Sequence, residues 1–88
     1  MKIKKGYMVR DIADTYIVVP VGERVIDFKG IMTLNETGYF LWNKLTDGIS
    51  YDDLLKALLD EYEVDEATAR ADLDEFLGVA RENGVIEE

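Results

Sequence analysis

Histidine and cysteine are both missing from the 88 residues. Their absence removes the commonest general base and the usual nucleophile–base pairs. It also rules out a disulfide framework and a thiolate metal site. Zinc would need an all-carboxylate site, which is unusual, so no catalytic residue, metal or cofactor is expected. A reducing cytoplasm fits a chain with no thiols. Proline occurs once, at Pro20. No apolar run exceeds four or five residues, far short of a membrane span. The start, Met1-Lys2-Ile3-Lys4-Lys5, has charge with no apolar stretch behind it and so lacks a signal-peptide pattern. The seven glycines are scattered and form no phosphate-cradling loop. Cations are scarce as well: 10 Lys and Arg stand against 19 Asp and Glu, a formal charge of −9. Such a surface repels phosphate backbones and anionic headgroups, so neither nucleic acid nor membrane is an expected partner.

What is present is enough for one small core. Apolar residues make up 48% of the chain, and its length predicts a single domain over residues 1–88. A chain this short buries only about 60–65% of its unfolded surface, which leaves little room for a deep substrate cavity. The hydrophobic period changes near Leu34. Before it, Val, Ile and Tyr alternate with polar residues, which predicts strands at Tyr7–Ile12 and Thr15–Val21 joined by a tight link at Ala13-Asp14. Pro20 marks the end of the second strand or a free edge. A third extended stretch is predicted from Val25 to Leu34, with Ile26, Phe28, Met32 and Leu34 on one face. Gly30 interrupts it, as either a bulge or a break into two short strands would.

After Leu34 the pattern is helical. Asn35 is a candidate N-cap for a helix to Leu45 that stops at Asp47-Gly48. Ser50 caps a second helix, in which Tyr51, Leu54, Leu55, Leu58, Leu59 and Tyr62 recur at three- and four-residue spacing. Asp52-Asp53 falls in its first turn, where negative charge favours the helix dipole, a simpler account of the pair than catalysis. Asp65 caps a third helix with a predicted buried stripe of Ala69, Leu73, Phe76, Leu77 and Ala80, ended by Asn83-Gly84. Three strands followed by three helices make an α+β domain.

Two features exceed composition. The stretch from Asp27 to Gly38 is polar on one face and ends in a helix cap, so it suits either a sheet edge open to another chain or an ordinary paired strand. On the third helix, Ala67, Ala71, Asp74 and Gly78 form a stripe of mostly small residues. Such a stripe admits a partner backbone, though alanine also simply favours helix. Phe40 points away from Leu41, Trp42 and Leu45, towards a partner or the adjoining helix.

The run Leu34-Asn35-Glu36-Thr37-Gly38, followed by Leu41-Trp42 and Asp47-Gly48, resembles the core of the PqqD-like family. That family includes pyrroloquinoline quinone biosynthesis protein D and the recognition elements for ribosomally made, modified peptides. Val18-Val19-Pro20-Val21-Gly22-Glu23-Arg24, Tyr51-Asp52-Asp53-Leu54 and Leu58-Leu59-Asp60-Glu61-Tyr62 continue the likeness. So do Asp72-Leu73-Asp74-Glu75-Phe76-Leu77 and Gly84-Val85-Ile86-Glu87. The resemblance implies a winged-helix-like fold and a non-catalytic peptide chaperone. Such a chaperone binds the leader of a precursor peptide and presents it to a modifying enzyme, often a radical SAM enzyme. It further implies that the leader adds as a strand along Phe28, Lys29, Gly30, Ile31, Met32 and Thr33. The leader would then lie against Arg70, Leu73, Asp74 and Leu77 of the third helix. Two alternatives stand beside this. One is a subunit that docks to an enzyme through its helices. The other is a winged-helix nucleic-acid binder, disfavoured because residues 65–82 carry six carboxylates against Arg70 and Arg81. The sequence leaves the oligomeric state open.

Overall fold

The computed structural model describes residues 1–21 and 32–87. Of the third stretch expected from Val25 to Leu34, the part up to Ile31, and with it Phe28, Lys29, Gly30 and Ile31, lies outside the described residues.

The chain opens with β1 (Lys2–Ile3), then forms a hairpin of β2 (Tyr7–Ile12) and β3 (Thr15–Pro20). The two strands pair from Tyr7↔Pro20 to Ile12↔Thr15. Ala13 and Asp14 turn the chain with φ of 51° and 66°. Two positive φ values in a two-residue loop mark a type I′ turn, whose twist matches that of the strands. After the undescribed segment, β4 (Met32–Leu34) pairs antiparallel with β3 through Val18↔Met32, Ile17↔Thr33 and Tyr16↔Leu34. The resulting sheet has the order β2-β3-β4.

Alternation gives the sheet two different faces. Val18, Met32 and Leu34 are buried against the helices, while Thr33 is exposed on the other side. The outer face of the hairpin keeps Met8 and Ile12 at 41% and 53% exposure.

Three helices cover the inner face: α1 (Glu36–Leu45), α2 (Tyr51–Glu61) and α3 (Glu66–Glu82). Each starts at the side-chain cap read from the sequence. Asn35 Oδ1 accepts from the Gly38 amide at 2.7 Å. Ser50 Oγ accepts from Asp53 at 3.1 Å, and Asp65 Oδ1 accepts from Thr68 at 2.8 Å. At the end of α3, Gly84 has φ of 68°. Its amide donates to Arg81, and the amide of Val85 donates to Ala80. This 5→2 plus 6→1 pair is a Schellman motif, and glycine fits its left-handed position without strain.

The core joins both layers: Val18, Met32 and Leu34 from the sheet, Leu41, Trp42 and Leu45 from α1, Leu54, Leu55 and Leu58 from α2, and Ala69, Leu73, Leu77 and Ala80 from α3. Phe76 departs from the expected stripe, because it is only partly buried. The chain ends are clasped by a second, two-stranded sheet that the sequence reading did not foresee. In it β1 pairs with β5 (Ile86–Glu87), and Ile3 and Ile86 both reach the core. No helix among the described residues is long and apolar enough to cross a membrane. The architecture is α+β, with a β-hairpin wing beside three helices.

Candidate functional site

Among the described residues β4 is the last strand of its sheet. One edge is engaged by β3, and no strand lies on the other. Beside that edge a cleft of about 250 Å³ separates β4 from α3. Met32, Thr33 and Leu34 form one wall. Leu41, with Thr37 and Gly38 of α1, closes one end. The opposite wall is Asp72, Glu75, Phe76 and Val79 of α3.

Local sequence chemistry builds this shape. The Asn35 cap starts α1 directly after β4, so the chain turns sharply from strand to helix. Gly38 lies buried in that corner. A Cβ there would stand 3.3 Å from both Asn35 Oδ1 and Leu34 Cβ, tighter than ordinary van der Waals contact, so glycine lets the first turn of α1 close onto the end of β4. On α3, the numbers 72, 75, 76 and 79 follow the i, i+3, i+4, i+7 rule for one helix face. This stripe lies alongside the core stripe of Ala69, Leu73, Leu77 and Ala80. Phe76 lies nearest the core, and Glu75 is turned furthest towards solvent.

The cleft is chemically mixed. Phe76 and Val79 offer apolar surface, Val79 at 40% exposure. Asp72 and Glu75 are exposed carboxylates on its rim, and neither forms an ion pair or hydrogen bond among the described residues. No group of three or more His, Cys, Asp or Glu side chains among the described residues is placed to hold a metal. The arrangement can hold an extended chain: an edge of β4 with no strand on it among the described residues, and an apolar floor for alternate side chains.

The four α3 residues expected to flank a peptide need correction. Leu73 and Leu77 are 0% and 1% exposed, part of the core beneath the cleft, and present no surface. Arg70 and Asp74 lie on the opposite flank of α3, facing α2. There Tyr51 Oη donates to Asp74 Oδ1 at 2.7 Å, and the Arg70 guanidinium lies 5.9 Å from the Tyr51 ring centroid. Arg70 is also bridged to Glu66 at 3.3 Å. The bond to Asp74, aided by partial desolvation and the Asp74 charge, raises the Tyr51 pKa, with Arg70 opposing. Met32 and Thr33 do stand at the cleft. Asp72, Glu75, Phe76 and Val79 were missed, although their spacing was visible.

Two other aromatic groups have structural partners. Phe40 packs edge-on against Tyr62, with centroids 5.7 Å apart, and Lys44 Nζ lies over its ring. It therefore covers the end of the adjoining helix. Tyr16 and Tyr39 stack at 4.1 Å where β3 meets α1. Partial desolvation, then the charges of Asp11 and Glu36, raise the Tyr16 pKa. The stripe of Ala67, Ala71, Asp74 and Gly78 is exposed, and a Cβ on Gly78 would meet nothing within 4 Å.

The family described as coenzyme PQQ synthesis protein D (PqqD) matches residues 15–86. Two solved structures share the fold over 99% of this chain. One is TbiB1 in complex with the TbiA(beta) leader peptide, at TM-score 0.75, 24% identity and 95% of that chain covered. The other is a lasso peptide synthetase B1 complexed with its leader peptide, at TM-score 0.73, 23% identity and 96% of that chain covered. No curated protein sequence matches significantly.

Proposed function

The chain belongs to the PqqD family, and from that premise we propose that it is a non-catalytic peptide chaperone. It binds the leader of a ribosomally made precursor by strand addition and presents it to a modifying enzyme of the radical SAM or a similar class. The observation that carries this is the edge of β4, unpaired among the described residues, beside the cleft walled by Phe76 and Val79. The two similar structures were both determined with leader peptides bound.

On this reading the peptide runs along Phe28 to Thr33, continuing the sheet past β4. Its main chain supplies register, and its alternate side chains enter the cleft. About four to six ladder bonds at ~1 kcal/mol each, with two cleft-facing side chains at ~2 kcal/mol each, give roughly 8–10 kcal/mol gross. Ordering the peptide removes several of these. Micromolar affinity, about −8 kcal/mol, therefore lies at the strong end. A holder of this kind needs no reactive group of its own, in keeping with a chain that has neither His nor Cys. Its work is to raise the local concentration of substrate at the enzyme.

Binding of labelled synthetic leader segments of ribosomally made precursor peptides tests the proposal by fluorescence anisotropy. Saturable micromolar binding that Phe76→Ala weakens supports it. Binding of a labelled DNA duplex with salt-sensitive affinity, and none of the leader, would replace it with the winged-helix nucleic-acid reading.

A further inference from the structure

The rim carboxylates of the cleft are not explained by the helix that carries them. Asp72 and Glu75 lie in the middle of α3, beyond the first turn where negative charge favours the dipole. They stand at i, i+3, where like charges repel. Neither has a cation partner among the described residues; Arg70 is taken up by Glu66 and Tyr51 on the other flank. Both are placed on the wall that a bound strand would face, beside the apolar surface of Phe76 and Val79.

The spacing of a strand fits this arrangement. Side chains on one face of a strand recur about every 6.7 Å, and a helix advances about 6 Å from Asp72 to Phe76. Two successive cleft-facing side chains of an added strand therefore reach the two chemistries in turn. One meets Phe76 and Val79, the next Asp72 and Glu75. An acidic side chain at the second place would be repelled by both carboxylates, and a cation would relieve their mutual repulsion.

We infer that the segment held in this cleft carries a lysine or arginine two residues from its apolar anchor, and that Asp72 and Glu75 select it. The inference rests on the strand-addition reading above and adds to it the charge of the ligand.

A displayed library of random peptides, selected against the full chain, tests it with an unbiased probe. Enriched peptides are resynthesised and titrated into wild type, Phe76→Ala, the charge-reversed double variant Asp72→Lys/Glu75→Lys, and the milder Asp72→Asn/Glu75→Gln. Both substituted positions are exposed, and circular dichroism confirms that each variant is folded. The expected result is enrichment of Lys or Arg two positions from an aromatic or aliphatic residue. Affinity should then fall about tenfold on charge reversal, the scale of two exposed ion pairs turned repulsive, and less on neutralisation. Selection against the reversed variant should enrich Asp or Glu at the same place. Peptides that lose affinity in Phe76→Ala but carry no cationic preference, and ignore both charge variants, overturn the inference and leave the cleft reading standing. Peptides indifferent to Phe76→Ala as well overturn both.

Discussion

The phenolic hydroxyl of Tyr51 donates to the carboxylate of Asp74 across the α2–α3 interface, 2.7 Å away. Asp74 lies on the flank of α3 away from the cleft, the flank that the proposed peptide does not touch. Tyr51→Phe should therefore leave leader affinity unchanged within about twofold, the scale of a substitution outside the interface. Its effect should appear in stability against pH. The folded-state pKa of Tyr51 is raised, chiefly by this bond. Its contribution is then fully present below the unfolded tyrosine pKa and is lost as pH rises through the folded value. Denaturant melts on the alkaline side should show a shallower decline for Tyr51→Phe than for wild type. Identical slopes would show that the bond carries no linkage.

Leu73 and Phe76 separate fold from site on a single helix. Leu73 is fully buried, so Leu73→Ala should cost about 2–5 kcal/mol of stability. Phe76 is only partly buried, so Phe76→Ala should cost less, about 1–2 kcal/mol, and should weaken leader binding about tenfold. Urea melts combined with anisotropy titrations check both. Equal stability losses with equal affinity would show that Phe76 belongs to the core alone.

Asp65 gives a prediction at the acid end. Its pKa is lowered, first by the backbone bond from Thr68 that caps α3. A depressed carboxylate stabilises above its unfolded pKa, and that contribution is lost as pH falls through the folded value. The helix signal of wild type should decline more steeply than that of Asp65→Asn below the ordinary aspartate range. Asparagine caps without a charge to lose.

The hairpin tip stores removable strain. Ala13 and Asp14 both hold positive φ, which costs an ordinary L-residue about 1–2 kcal/mol. Replacing the pair with Asn-Gly, the preferred type I′ sequence, should raise stability by about 1 kcal/mol. A thermal melt that falls instead would show that the Ala13 side chain contributes at the turn.

Much of the fold was legible because local chemistry and global arrangement agree. Asn35, Ser50 and Asp65 cap the helices they were expected to cap, and the hairpin turns where Ala13-Asp14 was read as a link. The β1–β5 clasp was not legible. Its two-residue strands are too short for a period, and only the meeting of Ile3 with Ile86 across the whole chain creates it. The candidate cleft was only partly legible. Met32 and Thr33, which line it, were expected at a peptide site from the family resemblance, since strand alternation alone left an edge strand and a paired strand equally open. On α3 the core stripe, being more apolar, drew attention from the adjacent stripe of Asp72, Glu75, Phe76 and Val79. Periodicity shows that a helix has faces, but only the packing of β4 and α2 on either side shows which flank is left open.

The account depends most on the peptide becoming a strand of the sheet. An NMR titration of the ¹⁵N-labelled chain with the synthetic leader tests this directly. Amide shifts should concentrate on Met32–Leu34 and on Asp72–Val79, with interstrand contacts between peptide Hα atoms and β4. Shifts confined to α1 around Phe40, with β4 and α3 silent, would contradict strand addition and point to helix docking instead.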